Sequence, residues 1–166
     1  MLDPDHGADH GEAQSRSVQR REVRTWRAFM EVHAMVLDQI GAELERRHQL
    51  TVSEFDTLVN IPLHGARMRV LAGRVILSKS ALSRLVNRLQ RRALVTKGEV
   101  AGDSRGVLIS LTDEGRRLRR VAARTNADVV QQAFTSRLSR PESEALGAIL
   151  DRLRGPDDPE GPNGPG

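Results

Sequence analysis

The chain has 166 residues, of which 38% are apolar, enough for one domain with a sizeable core, and it lacks cysteine, which excludes disulfides and thiolate metal sites. Its first residues show no basic start followed by an apolar core, and no apolar run approaches membrane-spanning length, so we expect a cytoplasmic protein without a membrane partner. The net charge of +4 is uneven, because residues 66–120 contain 14 Lys or Arg against 4 Asp or Glu and carry +10, while the rest carries −6.

Both ends of the chain are polar or rich in Gly and Pro and lack apolar periodicity, so we expect residues 1–20 and 155–166 to be disordered. Between them, the first apolar stripe has steps of three or four residues and predicts a long helix near 20–47. Its members are Val23, Trp26, Met30, His33, Leu37, Ile40 and Leu44.

A second helix is predicted after Thr51, because Thr51 and Glu54 have the spacing of a capping box. Pro62 cannot lie inside a helix without a large cost, so this helix should end near Asn60. His64 and Gly65 are expected to form the turn that follows.

Residues 67–75 and 78–92 predict the two short helices of a helix-turn-helix, with Ser78 as N-cap of the second. When Ala72 takes the fifth place of that frame, apolar residues fall where the two helices must pack, namely Leu71, Val75, Leu77, Leu82 and Leu85. The second helix also turns Ala81 and Leu89 inward. Its outer face holds Lys79, Ser80, Ser83, Arg84, Asn87, Arg88 and Arg91.

This outer face suits double-stranded DNA, since small hydroxyls allow close approach to a groove while Lys and Arg reach phosphates or guanine edges. The basic central segment favours the same polyanion. The alternative is an ordinary solvated, charged helix surface.

Two strands are predicted at Leu94–Val100 and Val107–Leu111, joined by a turn at residues 101–106. Asp103 can accept hydrogen bonds in this turn, and Arg105 at its tip is placed to enter a minor groove. The alternative is that Asp103 and Arg105 form only a surface ion pair.

Thr112 is the expected cap of a helix over 113–136, and Ser139 with Glu142 forms a second capping box before a last helix. The last helix carries a stripe of Leu146, Ile149, Leu150 and Leu153. Because little else is available to cover these helices, we expect a two-fold dimer formed with the first long helix. The alternative is that they fold back on their own core.

This order of elements resembles the MarR family of bacterial transcription regulators over residues 22–154. The motifs that carry the resemblance are the run from Leu77 to Leu89, the pair Leu94-Val95, the sequence Asp103-Ser104-Arg105 and the sequence Leu111-Thr112-Asp113-Glu114-Gly115. The resemblance implies a homodimer that recognises a near-palindromic operator, with helix 78–92 in the major groove and the wing in the flanking minor groove. The DNA-binding residues it implies are Ser78, Lys79, Ser80, Ser83, Arg84, Asn87, Arg88, Asp103 and Arg105.

Three features depart from the family pattern. Lys97 stands where Arg is usual, and Asn87 stands where Asp is common. Because Asn is neutral, these two positions are not expected to form the ion pair that braces the wing in the family. The link between the second and third helices is also shorter than usual, which is expected to reshape the effector cavity.

The resemblance also implies a small aromatic or anionic effector bound between the dimer helices and the DNA-binding lobe. The candidate lining residues are Trp26, Phe29, Met30, His33, Phe55 and Asp56. Trp26 offers a flat ring for stacking on such a ligand. The alternatives are that the Trp and Phe stripe is core and that His33 is a hydrogen-bonded interface residue.

The expected fold is mainly α-helical with a small β-hairpin wing. We assign residues 51–112 to a winged helix-turn-helix lobe, and residues 21–50 and 113–154 to a helical dimerisation region. No phosphate loop, nucleophile elbow or paired metal-binding histidines are found, so we predict a non-enzymatic regulator, with repression more plausible than activation, and no cofactor. The alternatives are a helical adaptor, or a metal-responsive regulator using His33, His48 or His64.

Overall fold

A computed structural model describes the backbone of residues 8–100 and 103–155, and the side chains of residues 21–99 and 106–155. The elements in chain order are α1 (Ala8–His48), α2 (Val52–Val59), β1 (Ala66–Arg67), α3 (Met68–Arg74), α4 (Lys79–Arg91), β2 (Val95–Val100), β3 (Asp103–Leu111), α5 (Asp113–Ala133), a 3₁₀ helix (Thr135–Arg137) and α6 (Arg140–Arg154). The predicted fold class, mainly helical with a β-hairpin, is confirmed. The chain divides into two compact units, Met1–Asp38 and Gln39–Gly166.

Helix α1 begins at Ala8, so the predicted start near residue 20 is wrong. Residues 8–20, which we expected to be disordered, are helical. They are rich in Ala, Glu, Gln and Arg, which lose little rotamer freedom in a helix, so an established helix extends through them without an apolar stripe. Residues 1–7 and 156–166, the remaining parts of the predicted disordered ends, lie outside the described residues. None of the described helices, α1 included, combines the length and the apolar character needed to span a bilayer.

The helix starts follow the predicted caps. Thr51 Oγ accepts the Glu54 backbone N–H at 3.2 Å, and Glu54 Oε2 accepts the Thr51 N–H at 3.0 Å, which completes the capping box of α2. Thr112 Oγ caps α5 by accepting the Gly115 N–H at 2.9 Å. Ser139 and Glu142 form the capping box of α6.

The core of the second unit is formed by the end of α1, α2, the helix-turn-helix and the inner face of the sheet. Its fully buried large side chains are Leu44, Leu50, Leu58, Ile61, Leu71, Leu82, Val86, Leu89, Val95 and Ile109. Helix α5 packs against α2 and β3 and buries Ala122, Thr125 and Val129, so its inner face belongs to the core of its own chain. Helix α6 buries none of its residues.

The sheet is antiparallel with the strand order β1-β3-β2. Strand β1 was not predicted, because two residues are too short to show an alternating pattern; Ala66 pairs with Ile109. Strand β3 begins at Asp103 rather than at Val107. Val100 pairs with Asp103, so residues that favour turns are included in the strand. A bulge between Glu99 and Val100 accommodates the greater length of β3.

Two glycines allow close backbone contacts within the second unit. Gly65 lies at φ +85° in the predicted turn, where its N–H donates to Pro62 O at 2.9 Å and a Cβ would lie 2.9 Å from Ile109 O. Gly115, in the first turn of α5, lies against the start of β2, where a Cβ would be only 2.0 Å from the backbone oxygen of Leu94. The helix and the strand therefore approach each other at a distance that only glycine permits.

Candidate nucleic-acid interface

Helices α3 and α4 form the predicted helix-turn-helix. Leu71 and Val75 of the first segment and Leu82 and Leu85 of the second are buried, while Leu77 in the turn is only half-buried. Ser78 caps α4, its Oγ accepting the Ala81 N–H at 3.2 Å. The turn and the apolar inner face thus fix the direction in which α4 presents its outer face.

The outer face of α4 is exposed and rich in free hydrogen-bond donors. Lys79, Ser83, Arg84 and Arg91 are exposed, and within the described residues their side chains make no hydrogen bond or ion pair. Ser80 is also exposed, and its Oγ lies 3.2 Å from Ser78 Oγ. These side chains are available to bind groups outside the protein.

Arg88 is placed differently from the other predicted DNA-binding residues. Its Nε donates to Glu54 Oε1 at 2.7 Å, and Arg92 Nη1 lies 3.5 Å from Glu54 Oε2. The Glu54 side chain is only 4% exposed. Burial of Glu54 opposes its ionisation, but the hydrogen bonds from Arg88 and the Thr51 N–H outweigh burial and lower the pKa of the carboxyl below 4.5. Arg88 thus attaches α4 to the start of α2.

Asn87 is likewise engaged within the protein, because Lys97 Nζ of β2 donates a hydrogen bond to its Oδ1. The residues that depart from the family pattern therefore still join α4 to the wing. The bond pairs a cation with a neutral amide instead of two opposite charges.

The wing residues Asp103 and Arg105 lie in the backbone of β3, but their side chains are outside the described residues. The backbone places both on the hairpin formed by β2 and β3, which α4 precedes directly in the chain.

The candidate effector residues fall in both units. In the first, Trp26, Phe29, Met30 and His33 are exposed, and the Trp26 ring is stacked with Phe29 at 5.8 Å between centroids. In the second, Phe55 and Asp56 are half-buried. Burial raises the pKa of Asp56, although Asn60 Nδ2 donates to its carboxylate at 3.1 Å.

The sequence offers His33, His48 and His64 as alternative metal ligands. Within the described residues, no group of three or more His, Asp or Glu is arranged to hold a metal ion. His48 Nε2 lies 2.8 Å from Thr125 Oγ1, which joins the end of α1 to α5. Burial and the neighbouring Arg47 lower the pKa of His48.

Comparisons with known proteins agree with this geometry. The MarR family model matches residues 48–106, from the end of α1 into β3. The transcriptional regulator PecS of Dickeya dadantii (strain 3937) is 24% identical over 124 residues, which are 72% of this chain and 74% of PecS. Sco3205, a MarR family transcriptional regulator from Streptomyces coelicolor solved in complex with DNA, is 28% identical with a TM-score of 0.74, over 86% of this chain and 93% of that one.

AbsC, a second MarR family transcriptional regulator from Streptomyces coelicolor, is 30% identical with a TM-score of 0.70. The match covers 81% of this chain and 95% of AbsC. PecS, Sco3205 and AbsC are all regulators, in agreement with the absence of catalytic motifs from the sequence. Identity at this level over nearly all of AbsC, together with the shared fold, shows that the chain belongs to the MarR family of transcriptional regulators.

Proposed function

We propose that this regulator binds a near-palindromic operator as a homodimer, with α4 of each protomer in a major groove and the β2–β3 hairpin in the flanking minor groove. The observation that carries the proposal is the outer face of α4, where Lys79, Ser83 and Arg84 are exposed and have no partner within the described residues. Such hydroxyls and cations suit base edges and phosphates. The similar regulator Sco3205 was solved in complex with DNA, which supports DNA as the binding partner.

Arg84→Ala is expected to weaken operator binding by about 1–3 kcal/mol for each guanine edge that the arginine reads, and to reduce discrimination between matched and mismatched operators. The reason is that an arginine on a guanine edge provides both affinity and specificity. The operator is first selected from genomic fragments, and binding is then measured by fluorescence anisotropy. Arg137→Ala is the control, because Arg137 is exposed on the 3₁₀ helix. Unchanged discrimination between the operators would mean that Arg84 contacts a phosphate. If the wild-type protein did not bind duplex DNA at low salt, the alternative function of a helical adaptor would remain.

Dimerisation is proposed because the ends of the chain expose apolar side chains that a stable monomer would cover. In the first unit, Trp26 is 63% exposed and Phe29 is 45% exposed. In the second, Ile149 and Leu153 of α6 are 44% and 74% exposed. We expect light scattering to give twice the chain mass of 18.4 kDa, and Leu153→Asp to shift the equilibrium toward monomer. A wild-type protein of single-chain mass at micromolar concentration would contradict the dimer.

In such a dimer, we propose that the two half-sites lie about one helical turn, roughly 10 bp, apart, so that both copies of α4 enter the same face of the duplex. Binding would then repress transcription by blocking access to the promoter. An effector would release the operator only through its different affinities for the DNA-competent and DNA-incompetent dimers.

The effector is proposed to be small and aromatic or anionic and to contact Trp26, Phe29, Met30 and His33, which all lie in the first unit. The exposed rings of Trp26 and Phe29 offer a stacking surface. Because Trp26 is the one tryptophan in the sequence, its fluorescence reports on this region alone. We expect a compound that releases the operator to change this fluorescence at the same concentration. Release without any change would place the effector elsewhere.

A further inference from the structure

A cavity of about 370 Å³ opens between the helix-turn-helix and the wing. Helix α4 contributes Lys79 and Leu82, β3 contributes Gly106 and Val107, and the segment of β1 and α3 contributes Arg67, Met68, Arg69 and Ala72. The cavity therefore combines apolar walls with three cationic side chains, and none of the described residues that line it is acidic. This composition suits a ligand with both an anionic and an apolar part.

The position of the cavity identifies such a ligand. The major and minor grooves of a duplex are separated by a sugar–phosphate backbone. A protein that inserts α4 into one groove and the adjoining hairpin into the next must therefore straddle one backbone strand, and the cavity lies between these two elements. We propose that the cavity seats this strand of operator backbone, an inference that rests on the proposed function.

The chemistry of the lining matches this occupant. Arg69 and Lys79 are exposed, and their side chains have no partner within the described residues, so both are available to phosphate oxygens. Met68 and Val107 provide apolar surface for the deoxyribose between the phosphates. Val107 is 39% exposed although it lies in the central strand of the sheet, which fits a side chain that is covered when the backbone binds.

This site differs in its role from the outer face of α4. A phosphate contact contributes affinity without sequence preference, because every nucleotide offers the same phosphate. Arg69 and the cavity are therefore determinants of affinity and salt dependence, while Arg84 is proposed to determine specificity.

The test compares Arg69→Ala with wild-type protein on the selected operator and on a mismatched duplex, over a range of salt concentrations. Each phosphate that the variant no longer neutralises reduces the slope of log K against log salt by about 0.9, so a dimer with one such phosphate per protomer should have a slope shallower by about 2. Affinity should fall by the same factor on both duplexes. Arg69→Lys should keep most of the slope, and Arg137→Ala, the control, should keep all of it.

A second variant tests the cavity without removing a cation. Val107→Glu places a carboxylate among the lining residues and should weaken binding to both duplexes equally, while Val107→Thr should have little effect. An unchanged salt slope in Arg69→Ala, or a change in the ratio of matched to mismatched affinity, would overturn the inference. Failure of the proposed function would be visible separately, because wild-type protein would then not bind duplex DNA.

Discussion

Substitution of Gly115 by alanine is expected to lower the free energy of unfolding by about 3 kcal/mol, at the upper end of the range for overpacked sites. The added Cβ would lie 2.0 Å from the Leu94 backbone oxygen and 3.0 Å from its carbonyl carbon. Neither atom belongs to a flexible side chain, so the start of β2 or the first turn of α5 must move. Because β2 is a strand of the wing, operator affinity should fall even at temperatures where the protein remains folded.

Gly73→Ala is the matched control for this experiment. Gly73 also lies in a helix, α3, but a Cβ there would meet nothing within 4 Å. Alanine is favoured over glycine inside a helix, so this variant should be slightly more stable than wild type, by about 0.5–1 kcal/mol. Chemical denaturation of both variants gives the comparison. Equal stability of Gly115→Ala and wild type would mean that α5 and β2 do not approach as closely as described.

Glu54→Ala is the second substitution with a large expected effect, a decrease of about 3 kcal/mol in stability. The carboxylate completes the capping box of α2 and accepts the 2.7 Å hydrogen bond of Arg88, so its removal breaks a cap and a charge-assisted hydrogen bond together. We also expect weaker operator binding, because Arg88 then no longer holds α4 against the start of α2. Thermal and chemical denaturation measure the first effect, and anisotropy measures the second.

Glu142→Ala provides a matched control, since Glu142 has the same place in the capping box of α6 and is exposed. Its removal should lower the free energy of unfolding by only the contribution of one cap, about 0.5–1 kcal/mol. If the two variants are destabilised equally, the contact between Glu54 and Arg88 contributes nothing measurable to the fold.

The stability that Glu54 contributes should depend on pH. Because its pKa is lower in the folded protein than in the unfolded chain, the contribution is complete above the ordinary value near 4.5. It is lost as the pH falls through the lowered folded pKa, where the buried carboxyl becomes protonated. The stability difference between wild type and Glu54→Ala should therefore be constant near neutral pH and shrink in acid.

The sequence predicts features of this fold that depend on neighbouring residues. A capping box joins two residues that are three positions apart in the chain. The boxes of Thr51 with Glu54 and of Ser139 with Glu142 both formed as expected. The apolar period likewise predicted Leu82, Leu85 and Leu89 on the buried face of α4, but it missed the buried Val86, and Ala81 is only half-buried. These features are readable because the groups that interact are close in the chain.

Features that depend on distant residues were missed. Strand β1 exists because Ala66 meets Ile109, and the early start of β3 depends on Val100. The hydrogen bond from Arg88 to Glu54, 34 residues earlier, could not be predicted because nothing local shows it, and the DNA-binding role of Arg88 stays a prediction. The cavity that Arg69 lines, which we propose as a phosphate site, was not predicted for the same reason, since only the folded chain brings α3 beside β3.

The hydrogen bond between Lys97 and Asn87 has a further consequence for the response of this protein to acid. An amide has no proton to gain in mild acid, whereas the aspartate common at this position in the family would become neutral if the pH fell far enough. The hydrogen bond between α4 and β2 should therefore persist at low pH, and any loss of DNA binding in acid is expected to originate in other parts of the molecule.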